Sequence, residues 1–166
     1  MNRGAYPPHR HLDDDASGDI LPMRLRSDFV LGAFMNAYVS HGGLATSSEI
    51  VHPLRSFWCQ PLSMVATWIV HRRVLSLPWR SQLLLPLFQF VRPRMTLLPE
   101  VSALVSKLGD CMEDESVASW LVTPNAWLRS ELPIDVVLSD PEVGIEGADH
   151  DRLVLIDRRV HLGRAH

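Results

Sequence analysis

Residues Trp120 to Val143 read WLVTPNAWLRSELPIDVVLSDPEV, and this stretch decides how the rest of the chain is understood. Two Trp-Leu pairs, Trp120-Leu121 and Trp127-Leu128, flank Pro124-Asn125. Pro133 then opens an apolar turn of Ile134, Val136, Val137 and Leu138 that closes at Ser139, Asp140 and Pro141. Proline fits the first turn of a helix, where its missing N–H would have no partner anyway, and neighbouring polar residues cap the helix. The spacing predicts short helices beginning at Pro124, Pro133 and Pro141. Two indoles in so turn-rich a segment predict a recognition surface. Trp120, at helical spacing, is expected in the core. Trp127 follows a helix start with little room for a second indole and is expected partly exposed at an oligomer or partner interface.

Upstream, Val101, Leu104, Val105, Leu108 and Met112 keep a 3.6-residue period after Pro99 and predict a helix. Another starts near Ser116, with Val117, Trp120 and Leu121 inward. Glu113, Asp114 and Glu115 precede it, where the helix dipole favours negative charge, so they serve the helix start rather than catalysis. Downstream, LVLIDRRV is read either as an extension of the last helix or as a strand-like tail.

The amino-proximal part is organised differently. Met1 to about Pro22 carries Pro7, Pro8, His9, His11 and three consecutive aspartates without apolar periodicity, which predicts a flexible arm over residues 1–24. From Ser27, the stripe Phe29, Val30, Ala33, Phe34, Ala37 and Tyr38 predicts a helix ending at Gly42-Gly43. Thr46, Ser47, Ser48 and Glu49 form a capping box opening a short helix through Ile50, Val51 and Leu54. After the break at Gln60-Pro61, Leu62 to Arg73 predicts a helix with Leu62, Val65, Ala66 and Ile69 inward. Between Val74 and Val91, two apolar runs flank Pro78-Trp79-Arg80-Ser81 and predict a β-hairpin, with Pro86 confining the second strand to an edge. Two short helices and a hairpin make residues 25–97 a winged helix-turn-helix-like unit.

Charge is unevenly spread over the 166 residues, whose formal net charge is −3. From Trp68 to Asp110, Arg72, Arg73, Arg80, Arg92, Arg94 and Lys107 stand against Glu100 and Asp110, whereas Cys111 to His166 has five arginines against eleven acids. A basic middle and an acidic end predict two surfaces with different partners. Cys59 and Cys111 are isolated in apolar sequence, so buried free thiols and a reducing compartment are expected. Without a signal-peptide core or a run near the ~18 apolar residues of a membrane helix, the expectation is a cytoplasmic protein that does not engage membrane.

The search for catalytic chemistry finds no constellation. His41-Gly42-Gly43 lacks an accompanying nucleophile elbow and is read as a helix C-cap. His9 and His11 beside Asp13 to Asp15 have nothing to preorganise a metal site, and no glycine-rich phosphate loop is present. No catalytic residue, metal or cofactor is therefore expected. Binding remains. Ser63, Thr67, His71, Arg72 and Arg73 lie off the apolar stripe of their helix and Arg80 at the hairpin tip, a set suited to base edges and phosphates of DNA. Asn125, Trp127, Leu128, Arg158 and Arg159 are the candidate partner-binding residues.

The order of these elements resembles the toxin-binding domain of the Xre/MbcA/ParS antitoxin family. The resemblance spans about Leu98 to Asp157 and is carried by Ala118, Trp120 and Leu121, then Pro124, Asn125 and Leu128, then Pro133, Ile134, Asp135 and Leu138, then Val143 and Ala148. TSSEIVHPL through LPLFQF is similar to the degenerate winged helix-turn-helix ahead of that domain in some antitoxin-like proteins, which would place Thr67, Arg72 and Arg73 near DNA. The resemblance implies a non-enzymatic protein with a mainly α fold and one small β-hairpin, and a helical domain over residues 98–166. That domain would homodimerise and clamp a toxin of the RES class, which consumes NAD or transfers ADP-ribose, with a C-terminal arm helping to block the toxin active site. The runner-up is a stand-alone DNA-binding transcriptional regulator. Where the family carries glycines before the Pro-hydrophobic turn, this chain has Arg129, Ser130 and Glu131. Gly144 and Gly147 are expected to cost the last helix about 1 kcal/mol each.

Overall fold

The computed structural model describes residues 23–163. The expected arm lies outside them apart from Met23 and Arg24, which already belong to the first helix, and the His9, His11 and Asp13 to Asp15 group lies outside them entirely. The described chain is mainly α, with small antiparallel sheets. In order it forms α1 (Met23–Tyr38), β1 (Leu44–Thr46), α2 (Ser47–Leu54), α3 (Pro61–Val70), β2 (Leu77–Trp79), β3 (Gln82–Pro86), β4 (Phe90–Val91) and β5 (Thr96–Leu97). The helices α4 (Pro99–Gly109), α5 (Asp114–Leu121), α6 (Pro133–Ser139) and α7 (Pro141–Gly163) follow.

Local chemistry sets most boundaries. After α1 a 3-10 turn over Val39–His41 ends at Gly42, whose φ of 93° is the left-handed conformation that glycine adopts without penalty. Thr46 caps α2: its hydroxyl accepts from Glu49 N, and the Glu49 carboxylate accepts from Thr46 N at 2.7 Å. The capping box is therefore complete. Pro61, Pro99 and Pro133 each sit in a first helical turn. Pro141 opens not a short helix but one of 23 residues, which absorbs LVLIDRRV. Pro124 opens no helix. Residues 125–131 form a tight loop closed by a bridge between Asn125 and Glu131.

The β-structure exceeds the single predicted hairpin. β2 and β3 pair through the two-residue turn Arg80-Ser81, but β1 adds to the other side of β3 with Leu44 opposite Pro86, giving the order β1-β3-β2. The strand holding Pro86 is central rather than at an edge. Pro86 is tolerated there because the β2 pairing ends at Leu84, so that at Pro86 only β1 lies beside β3 and the strand is locally an edge. A second two-stranded sheet pairs β4 with β5. The buried side chain of Gln89 ties these segments together: its Oε1 accepts from Leu75 N at 2.6 Å, and its Nε2 donates to Leu75 O and Pro86 O.

Two apolar clusters fill the molecule. The smaller joins Ile50, Val51, Leu54, Val65, Leu85 and Phe90. The larger brings Tyr38, Leu75, Leu77 and Phe88 into contact with α4, α5, α6 and Ala148 of α7. Buried Tyr38 donates its hydroxyl to Ala118 O at 2.9 Å and stacks on Phe88; burial pushes its pKa well up. α7 packs close because it carries glycines. A methyl built on Gly144 would stand 2.8 Å from Val137 Cα, and one on Gly147 2.8 Å from Leu128 Cδ2. The expected helix penalty of these two residues is thus offset by the close approach that they alone permit.

Candidate functional site

The inward face of α3 is turned from the predicted one: Val65 and Ile69 face the core as expected, but Met64 and Trp68 join them in place of Leu62 and Ala66. Val65 is buried, while Met64, Trp68 and Ile69 pack on the smaller cluster, Trp68 lying 6.1 Å from the Phe90 ring. Leu62 and Ala66, predicted inward, are exposed. The rotation follows from size: Met64 and Trp68 bury more apolar area than Leu62 and Ala66, and burial scales with area. The outward face consequently holds Leu62, Ser63, Ala66, Thr67 and Val70, with Leu62 68% and Val70 77% exposed. Thr67 Oγ1 donates back to Ser63 O at 2.8 Å.

Of the candidate DNA-contacting residues, Ser63 and Thr67 share this face, and His71 and Arg73 are exposed just past its C-terminal end. Arg72 turns away. Its φ is 50°, its guanidinium donates to the carbonyl oxygens of Gly109 and Met112 at the end of α4, and its own carbonyl accepts from Ser106 Oγ at 2.9 Å. Cations at a helix C-terminus are favoured by its exposed carbonyls. Arg80 stands at the β2–β3 tip with φ 51°, its guanidinium 5.0 Å over the Trp79 ring and 3.9 Å from Asp28.

Arg55, Arg92 and Arg94 are a further basic set that the motif reading passed over. Arg94, in the β4–β5 loop, lies 5.9 Å over Phe57, so this loop meets the α2–α3 connection. Phe57 and Trp58 are about half exposed there. Cys59, expected to be buried, is exposed, whereas Cys111 is buried. The signal was available in composition: residues 44–97 contain six arginines and one acid, Glu49, which the capping box occupies.

In the C-terminal half the motif residues build a partly buried polar hub. Asn125 Oδ1 accepts from Trp127 N at 2.9 Å and Leu128 N at 3.3 Å, holding the 125–131 loop, while its Nδ2 donates to Asp151 of α7 at 2.6 Å. Trp120 Nε1 donates to the same Asp151 oxygen at 2.7 Å. Burial pushes the Asp151 pKa up, but the hydrogen bonds from Trp120, His150 and Asn125, with the charge of His150, outweigh this, and the carboxyl titrates below its ordinary value. Arg129 and Ser130 hold left-handed φ values of 58° and 65°. The loop keeps a glycine-type backbone without glycine.

Asn125 and Leu128, candidates for partner contact, are therefore buried, and both help to shape the loop. Trp127 is 41% exposed and stacks on His150 at 5.6 Å, the partial exposure expected of it. Residues 143, 150, 153 and 154 recur at helical spacing on one side of α7, so exposed Val143, Leu153 and Val154 extend the apolar surface begun by Trp127. The side chains of Arg158 and Arg159 lie outside the described residues.

One relay was not anticipated from sequence. His41 Nε2 is 2.7 Å from Asp135 Oδ1 and its Nδ1 is 2.9 Å from Ser40 Oγ. A nucleophilic serine also needs donors aimed at a developing oxyanion, and the adjacent N–H groups are committed: Gly42 N donates to Val39 O and Gly43 N to Tyr38 O. The relay instead fastens the turn after α1 to α6. Among the described residues, no group of three His, Cys, Asp or Glu side chains could hold a metal ion, and no helix is long and apolar enough to cross a membrane. No protein-family model, curated protein or solved structure matches the chain.

Proposed function

We propose that this chain is an antitoxin-like protein with two binding faces: operator DNA on a winged helix-turn-helix unit, and a partner toxin on the C-terminal helices, which it neutralises by steric occlusion as a homodimer. The observation that carries the reading is the separation of two differently charged, differently built surfaces on one framework. In residues 44–97 a helix pair, α2 and α3, followed by the β2–β3 hairpin in a small sheet of order β1-β3-β2 supports the reading of a helix-turn-helix with a wing, and the excess of arginine suits a polyanion. In the acidic C-terminal half, Trp127, Val143, Leu153 and Val154 offer an apolar surface of the kind that mediates protein contacts. Under this reading the toxin, of RES type, supplies the NAD chemistry and this chain supplies none.

Co-expression with the product of the neighbouring gene tests the proposal. Co-elution of the two proteins and rescue of growth are the expected results; a single elution peak without rescue overturns the toxin-binding part. A second reading, a DNA-binding transcriptional regulator without a toxin, is favoured by one specific observation. Ala118, Leu121, Asn125, Leu128, Pro133, Ile134 and Ala148, seven of the twelve residues that carry the family resemblance, are buried and are accounted for by folding alone. A mobility-shift series across salt concentrations tests the DNA binding that both readings share, because phosphate contacts make affinity fall steeply with salt; the co-expression experiment is what separates them.

A further inference from the structure

The outward face of α3 is unusual for a surface that would meet a polyanion. Leu62, Ser63, Ala66, Thr67 and Val70 carry no charge, and the two largest are more than two-thirds exposed. Thr67 has already given its hydroxyl hydrogen to Ser63 O, leaving it an acceptor and a methyl. The positive charges sit beyond the helix ends. Arg55 and the Arg94–Phe57 contact belong to the connection before α3, and Arg73 follows its last turn. A helix of 10 residues is about 15 Å long, slightly more than the roughly 12 Å width of the DNA major groove. Its ends would then fall near the two phosphate backbones and its middle against the base edges. In the major groove the only apolar group on a base edge is the C5-methyl of thymine.

On the strength of the DNA reading above, we propose that α3 recognises double-stranded DNA through thymine methyl groups, with Leu62, Ala66 and Val70 as the specificity-determining contacts and the flanking arginines Arg55, Arg73 and Arg94 as sequence-independent phosphate anchors. Arg55, which shares a cleft with Leu62 and Ser63, supplies the charge that selects DNA as the occupant, and the acidic Glu113, Asp114 and Glu115 beside Val70 limit the contact to the base edges at that end. The apolar centre selects what is read on it.

The test uses the full chain and duplexes recovered from a random pool by retention on the protein. Each is compared with a counterpart in which uracil replaces thymine, a change that removes only the C5-methyl. The uracil duplex is expected to bind about fourfold more weakly for each methyl contacted, the equivalent of one buried carbon, with the same salt slope. The double variant Leu62→Ser with Val70→Ser, both on exposed positions, is expected to lose most of the preference for thymine and to keep that slope. Equal affinity of the unaltered protein for thymine and uracil forms, or a double variant that retains the preference, overturns the inference while leaving DNA binding standing. Failure to retain any duplex at low salt overturns the DNA reading itself. If, in addition, the double variant lowers the sedimenting mass, the face is a contact between proteins.

Discussion

Residues 44–97 and the C-terminal helices invert each other's signals. In the first region, apolar residues read as core in the sequence, Leu62 and Ala66, lie outside. In the second, residues that look like contacts, Asn125 above all and Leu128 with it, lie inside, and Asn125 holds the loop. The difference reflects how each region is closed. A sheet and two short helices can bury only one side of α3, and the bulkier stripe wins. A long helix lying against a tight loop has polar loop groups to satisfy, and Asn125 and Asp151 satisfy them.

The sharpest way to break this contrast is Asn125→Ala. It removes the acceptor for two backbone N–H groups and a donor to Asp151 at a buried side chain of a mostly exposed loop, and should cost about 2 kcal/mol, read as a fall in the urea midpoint. The same hub fixes the acid behaviour. Because the folded Asp151 pKa is lowered, its contribution is fully present above the ordinary value of 3.8 and is lost as pH falls through the lower folded value. Asp151→Asn should therefore flatten the acid limb of stability below about pH 4 relative to the parent; an unchanged limb would remove the hub from the account.

Gly144→Ala comes next, at about 2 kcal/mol of destabilisation, since its methyl meets Val137 backbone; Gly147→Ala should cost less because the Leu128 side chain can move. Helix propensity alone predicts stabilisation in both, so thermal melts decide between packing and propensity. Arg72→Ala should cost about 1 kcal/mol by uncovering the last carbonyls of α4 with little change in DNA retention. Arg73→Ala with Arg80→Ala should do the reverse and lower the salt slope of DNA binding. The smallest effect is a gain: Ser130→Gly should stabilise by about 0.5 kcal/mol, as relief of a left-handed backbone slightly exceeds the entropy that glycine adds to the unfolded chain.

Much of the architecture was legible. The capping box at Thr46, the prolines at Pro99 and Pro133, the Gly42 stop and the 3.6-residue period of α4 are local signals with local causes, and they appear where the residues place them. What escaped depends on partners distant in sequence. β1 is only three residues long and exists because β3 is there to pair with it. The orientation of α3 was decided by Phe90 and the cluster around it. Arg72 reads as a surface charge until α4 supplies carbonyls for it. The Arg94 contact with Phe57 joins residues that no motif links, and only the scarcity of acids across residues 44–97 pointed to that side of the molecule.

The larger apolar cluster has a practical consequence for anyone who cuts the chain. Severing it between Leu97 and Leu98 would strip Tyr38, Leu75 and Phe88 from the side chains of Leu104, Leu108 and Ala118, and both fragments would present freshly opened oily surface to solvent. Neither piece is suited to carry its own activity in isolation, and heating should melt the whole in one cooperative step. Dissection of the two binding faces is better done by point substitution on the intact polypeptide than by truncation.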